Sequence, residues 1–206
     1  MTSFGVVARV RRVLSTKQGK KAKVGHTGTL DPFAAGLMII VYGKECKNAS
    51  NYSKLDKVYE ATIRLGQTST TGDPEGEVTD ISDRQPSLDE VEQALKNFTG
   101  EITQTPPIYS AIKIHGQRAY KLARENKPVE MPERRVTIFD LICIEYNYPY
   151  LKICTHVSSG TYIRTLAEDI GKELQTGAYC VELRRTKIAD WDIATAKTLA
   201  DIGIIN

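Results

Sequence analysis

Residues 57–65, Lys-Val-Tyr-Glu-Ala-Thr-Ile-Arg-Leu, alternate in polarity and set Tyr59, Ala61, Ile63 and Leu65 on one side, which is the period of a half-buried strand. Tyr59 therefore points inward with the core. The alternation of Leu151, Ile153, Thr155 and Val157 predicts a strand over 150–157, paired with one over 135–146 around the turn Asn147-Tyr148-Pro149. Elsewhere the period is helical. Val6, Val7, Val10, Val13 and Leu14 recur at helical spacing behind Ser3 as a cap, leaving Arg9 and Arg12 on other faces. Ser87-Leu88-Asp89-Glu90 is a capping box that opens a helix with Leu88, Val91, Leu95 and Phe98 toward the core, closed by Gly100. A further helix runs from Thr161, carries Leu166, Ile170 and Leu174, and ends before Gly177.

The shorter signals fill the gaps. The continuous apolar run 37–42 reads as a buried strand, 108–114 as a strand after the Pro106-Pro107 break, 117–126 as a short helix ending near Pro128, and 178–183 as a last strand. The Lys-rich stretch 17–23 reads as loop, and so does 66–76, rich in Thr, Ser, Gly and Asp-Pro and without an apolar face. No internal repeat or low-complexity segment occurs. Consecutive strands with scattered helices argue an α+β fold around a largely antiparallel or mixed sheet.

With 206 residues, 41% of them hydrophobic and 26% charged, the chain can bury a sizeable core. It has no apolar stretch of membrane-spanning length and no secretory signal pattern at its start, so the expectation is a cytoplasmic protein away from membranes. Cys46, Cys143, Cys154 and Cys180 are widely spread and suggest neither a zinc site nor a disulfide framework. His115 and His156 pair at no metal-ligand spacing, so no metal is expected. The net charge of +3 is modest but unevenly placed. Arg9, Arg11, Arg12, Lys17, Lys20, Lys21 and Lys23 precede residue 24 with no acid among them, whereas 73–92 is mostly acidic. The basic segment suits a phosphate backbone or, equally, is a solvated helix face and loop.

One segment carries candidate chemistry: Gly25-His26-Thr27-Gly28-Thr29-Leu30-Asp31-Pro32-Phe33-Ala34-Ala35-Gly36. Its glycines permit close backbone approach to a ligand, and Pro32 keeps Asp31 out of helical conformation. By itself it is either an Asp-Pro turn or a loop that aims one carboxylate.

The segment resembles the catalytic loop of the TruB family of RNA pseudouridine synthases, whose pattern Gly-His-x-Gly-x-Leu-Asp-Pro-x-Ala-x-Gly it meets at every fixed position. Lys57-Val58-Tyr59 with Leu65-Gly66 is similar to the family's second motif, and Ser158-Ser159-Gly160-Thr161-Tyr162-Ile163-Arg164 to its Ser-x-Gly-Thr-Tyr-Ile-Arg motif. The segment from Gln104 to Lys113 also fits and reads as structural. The resemblance implies the pseudouridine synthase fold, with an active-site cleft across a central sheet. It implies Asp31 as the catalytic carboxylate, Tyr59 against the target base, and Tyr162 and Arg164 as further catalytic residues, Arg164 pairing with Asp31. It also implies Leu183 lining the base pocket, and His26 in the space the base vacates. Arg9, Arg12, Lys20 and Lys21 are the candidate phosphate contacts. Read without the resemblance, Tyr59 and Leu183 are core residues, His26 is a loop residue, and Arg164 is a surface partner of Glu168 one turn on.

The implied activity is isomerisation of uridine to pseudouridine in RNA, at the T-loop uridine of tRNA, by a monomer that needs no cofactor and no obligatory protein partner. The alternatives are a non-catalytic tRNA-binding or RNA-folding protein, and a guide-RNA-dependent synthase of the dyskerin type. The expectation is one catalytic domain over 1–206. The family's opening Lys-Pro strand is matched only by Thr2-Ser3, and no C-terminal PUA domain follows, so lower stability and weaker RNA affinity are expected.

Overall fold

Alternation and capping act through the chain much as the pattern demands. The computed structural model describes residues 1–114, 116–125 and 128–204. The chain opens with α1 (Ser3–Gln18), β1 (Val24–His26), β2 (Ala35–Gly36), β3 (Ile40–Tyr42), α2 (Ala49–Ser53) and β4 (Lys57–Leu65). Next come β5 (Gln67–Ser69), β6 (Val78–Asp80), α3 (Leu88–Lys96), β7 (Gly100–Gln104), β8 (Lys113–Ile114), β9 (Gln117–Arg118) and α4 (Ala119–Arg124). The last elements are β10 (Arg134–Asn147), β11 (Tyr150–Val157), α5 (Ile163–Glu173), β12 (Ala178–Ile188) and β13 (Trp191–Asp192).

The main sheet has the order β13-β12-β4-β11-β10-β7, with β2 alongside β12. β10 is antiparallel to both β11 and β7, whereas β2 is parallel to β12, so the sheet is mixed and the α+β expectation holds. The chain divides into two compact bodies, Met1–Val58 with Arg184–Asn206, and Tyr59–Leu183.

In the Tyr59–Leu183 body, one sheet face is sealed. Ile63, Leu151, Ile153, Val157, Ile138, Leu166 and Ile170 are all fully buried, and each such side chain contributes about 1.5–3 kcal/mol of hydrophobic stabilisation. The capping box at Ser87 and Glu90 forms as read. Leu88 is exposed, however, and Ala94 is buried beside Val91 and Leu95; the helix stops at Lys96, and Gly100 opens β7 rather than closing α3.

In the other body, Val7 and Val10 of α1 pack with Ala22, Val24 and Ile204, flanked by Val6, Val13 and Leu14. The cap of α1 is Thr2, whose hydroxyl accepts from the Gly5 N–H. Ser3 is instead buried and bonded to Leu30.

Several local expectations need correction. The apolar run 37–42 is not one strand, because its ends have different partners: the Leu37 N–H donates to the Arg185 carbonyl of β12, next to the Gly36–Arg185 pair, and Ile40–Tyr42 pair with β1. The chain has to turn between them. Residues 108–112 form no strand; Lys113–Ile114 alone pairs, with Gln117–Arg118. The helix read over 117–126 is Ala119–Arg124, and Asn126, like His115, lies outside the described residues. The segment 66–76 is less a loop than expected, since β5 pairs with β6. β12 continues past Leu183 to Ile188 because Arg185 and Ile188 are buried despite their polar neighbours.

Candidate functional site

The Asp31 loop is suspended between two short strands. His26 sits opposite Ile40 in the β1–β3 ladder, and the Thr27 N–H donates to the Ile39 carbonyl at 3.2 Å. The buried Ser3 hydroxyl then grips Leu30 twice, accepting from its N–H at 2.9 Å and donating to its carbonyl at 3.2 Å. The Ala34 N–H donates to the Asp31 carbonyl at 3.0 Å, which makes Asp31 the first residue of a turn. Beyond the turn, the Leu37 N–H donates to the Arg185 carbonyl at 2.8 Å. Gly36 is obligatory there: its φ is +114°, and a β-carbon would lie 2.2 Å from the Arg185 carbonyl oxygen. Asp31 itself is half-buried.

His26 is half-buried, with the edge-on ring of Phe4 5.3 Å away. Burial first, and then the Arg185 charge, hold its pKa below the ordinary imidazole value, so the ring is neutral at pH 7. Its Nδ1 is buried with no hydrogen-bond partner among the described residues. Arg9, Arg12, Lys20 and Lys21 are exposed, whereas Arg11 turns back to donate to the Val24 carbonyl at 3.2 Å.

In the Tyr59–Leu183 body, Tyr59 and Leu183 both face inward and are buried. Gly160, at φ +87°, lets the chain leave β11 and start α5. Ser158 ties that turn to β10, its N–H donating to Thr137 and its hydroxyl accepting from Thr137, each at 2.8 Å. Tyr162 is the residue before α5. Its backbone is clamped by the buried Gln104 amide, which accepts from the Tyr162 N–H at 3.1 Å and donates to the Tyr162 carbonyl at 3.3 Å.

Arg164 follows in the first turn of α5. Only 3% exposed, it donates to the carbonyls of Thr71 at 2.8 Å and Tyr109 at 3.0 Å, and pairs with Asp73 at 3.2 Å. Asp73 is equally buried and also accepts from the Thr71 hydroxyl at 2.6 Å and the Glu75 N–H at 3.0 Å. Arg164 is thus a buried group and not the surface partner of Glu168 that helical spacing alone allows. Burial pushes the Glu168 carboxyl above the usual range, Asp169 and Asp73 adding to this and Lys172 and Arg164 opposing it. A cavity of ≈ 460 Å³ beside this cluster is lined by Thr71, Tyr109, Thr165 and Glu168 among others.

Three residues of these arrangements were not singled out by the sequence: Asp73, Gln104 and Arg185. Asp73 lies in a polar stretch that gives no sign of burial. Arg185 does carry a signal, because strand alternation from Leu183 turns it inward. Among the described residues, no group of three or more His, Cys, Asp or Glu is placed to hold a metal ion, and no helix is long and apolar enough to cross a membrane. Chemically, the first body presents a carboxylate on a fastened turn and, five residues before it in the chain, a neutral imidazole, and the second a buried guanidinium at a helix start. A fixed carboxylate can act as a nucleophile without a cofactor.

Comparison with known proteins gives these features a context. Residues 11–163 match the family model described as TruB family pseudouridylate synthase (N terminal domain), and 164–204 match tRNA pseudouridylate synthase B C-terminal domain. The chain is 43% identical to tRNA pseudouridine synthase B of Clostridium novyi over 91% of its own length and 63% of that protein's. Against the protein of the same name from Parabacteroides distasonis it is 44% identical, covering 92% and 81%. The chain therefore spans about two thirds of the length of several curated relatives it matches, 63% and 65% in two of them. Among solved structures, a Cbf5-Nop10-Gar1 complex contains a chain that superposes with a TM-score of 0.70 at 27% identity, covering 93% of this chain and 46% of that one. An H/ACA RNP bound to a substrate RNA containing 2'-deoxyuridine gives a TM-score of 0.70 at 25% identity, covering 98% and 48%.

Proposed function

Because this chain belongs to the TruB family of pseudouridylate synthases, we propose that it isomerises uridine to pseudouridine in tRNA, at the T-loop uridine, with Asp31 as nucleophile. The observation that carries the reading is the Asp31 turn itself, fixed on one side through Leu30 and on the other through Leu37. A carboxylate aimed by its backbone loses little freedom when it attacks.

The reaction is balanced within the substrate and solvent. The N1–C1′ bond breaks, the uracil turns, and a C5–C1′ bond forms; C5 gives up its hydrogen to solvent and N1 takes up a proton. Asp31 attacks C6 of the base or C1′ of the sugar. The target base must first leave its stack, at a cost of a few kcal/mol. Tyr59 stacking on the base offsets about 1–3 kcal/mol of this, with Leu183 beside the base and His26 filling the vacated space. A neutral His26 suits stacking, because it brings no charge that must be desolvated. Arg164, at the start of α5, and Tyr162 just before it are the further catalytic residues, Tyr162 assisting proton movement at C5. Arg9, Arg12, Lys20 and Lys21 contact phosphates of the T-arm. The protein acts as a cytoplasmic monomer without cofactor or protein partner.

The test is tritium release from a tRNA transcript labelled at uridine C5. Asp31→Asn is expected to lose at least about 1000-fold in rate while keeping its RNA affinity. An active Asp31→Asn protein would remove Asp31 from the mechanism. Tight RNA binding by a wild type that releases no tritium would favour the RNA-binding alternative.

A further inference from the structure

Arg185 is among the largest fully buried side chains of the protein, at 2% exposure. Among the described residues, its side-chain hydrogen bonds go to carbonyl oxygens: Nε donates to Leu37 at 2.8 Å and Nη2 to Gly28 at 3.3 Å. Its own carbonyl accepts from the Leu37 N–H at 2.8 Å, and its backbone lies in parallel register with Gly36. One residue therefore holds residues 28 and 37, the two ends of the segment whose interior carries Asp31. A guanidinium is suited to this, being a rigid fork whose nitrogens stand at fixed separations.

A buried cation bonded only to neutral carbonyls is costly. A purely structural tie between two carbonyls would not require a full charge at this place. The charge also reaches its neighbours, adding to burial in lowering the pKa of both His26 and Lys57.

We propose that Arg185 is a positioning residue for the isomerisation, setting the span between Gly28 and Leu37 and thereby the aim of Asp31. This rests on the reaction assigned above. The catalytic carboxylate sits on a short turn, so its direction follows the distance between the turn's two ends. Arg185 fixes that distance from a strand of the main sheet. Lysine keeps the charge but offers a single nitrogen, which cannot reproduce the fork.

The experiment compares wild type, Arg185→Lys and Arg185→Met in three ways: single-turnover tritium release with the Kd for the same transcript, amide hydrogen exchange, and NMR titration of His26. Both variants are expected to lose about 100-fold in the single-turnover rate while Kd stays within about threefold, the signature of misaimed chemistry on intact binding. Exchange should quicken over residues 28–37 and stay unchanged in β4 and β11. The His26 midpoint should rise in Arg185→Met and hold in Arg185→Lys, which separates the charge from the fork. Arg185→Lys keeps the test decisive if Arg185→Met does not fold. A wild-type rate in either folded variant, a loss confined to Kd, or exchange that rises equally in β4 and β11 would overturn the proposal. If wild type itself releases no tritium, the reaction assignment fails, and the exchange pattern alone decides whether Arg185 sets the loop.

Discussion

Arg164 is fastened by its own side chain, with two carbonyls and the Asp73 carboxylate gathered on one buried guanidinium. The Asp31 segment is fastened through its backbone, by Ser3 on Leu30 and Arg185 on Gly28 and Leu37. The first arrangement takes a pair of opposite charges, Arg164 and Asp73, out of water. The second spreads its energy over several hydrogen bonds to backbone groups, each of modest worth. Damage should therefore be abrupt in the Arg164 cluster and graded in the Asp31 loop.

The largest effect should come from removing the countercharge. Asp73→Asn is expected to cost about 3–5 kcal/mol in urea unfolding, because it leaves the Arg164 guanidinium buried without that partner. A loss below about 1 kcal/mol would show that the charge is balanced without Asp73, and the contrast would collapse.

A second effect asks whether the Asp31 body also carries charge strain. Burial, then the Arg185 charge, lower the Lys57 pKa to about 8, with Asp56 opposing. The sign follows from proton counting: between about 8 and 10.5 the folded protein has released a proton that the unfolded chain still binds, so stability rises with pH across that window. Measured as the difference between wild type and Lys57→Met, the rise should be about 2–3 kcal/mol. A flat difference would mean that Lys57 is not strained.

The smallest effect belongs to one backbone tie. Ser3→Ala leaves the Leu30 N–H and carbonyl without their hydroxyl partner and should cost about 1–2 kcal/mol in thermal unfolding. A cost rivalling that of Asp73→Asn would show that the loop, too, depends on a single point.

Legibility divided along similar lines. The alternation of 57–65 reappears intact as β4, and the Ser87 capping box forms as read, because both signals are local. The run 37–42 misled because hydrophobicity reports burial and not the partner, and here two partners compete for one stretch. Residues 108–112 misled because their strand-like composition meets no ladder; the Tyr109 carbonyl instead serves Arg164. The inward direction of Tyr59 was readable from its period, while the burial of Asp73 was not. Its partner lies far along the chain, and nothing in the Thr-Gly-Asp-Pro stretch marks that meeting. Motif resemblance singled out the residues proposed to meet the substrate, and the structure adds those that hold them in place: Ser3, Gln104 and Arg185.

Gly36 has a meaning beyond its conformation. With no room for even a methyl group against the Arg185 backbone, it works as an end stop, and the ladder position of His26 opposite Ile40 is the other stop. Between two stops the number of residues is itself a dimension of the machine. A chain one residue longer or shorter over this stretch could keep every motif letter and still present Asp31 in the wrong direction, so length here is under the same constraint as identity.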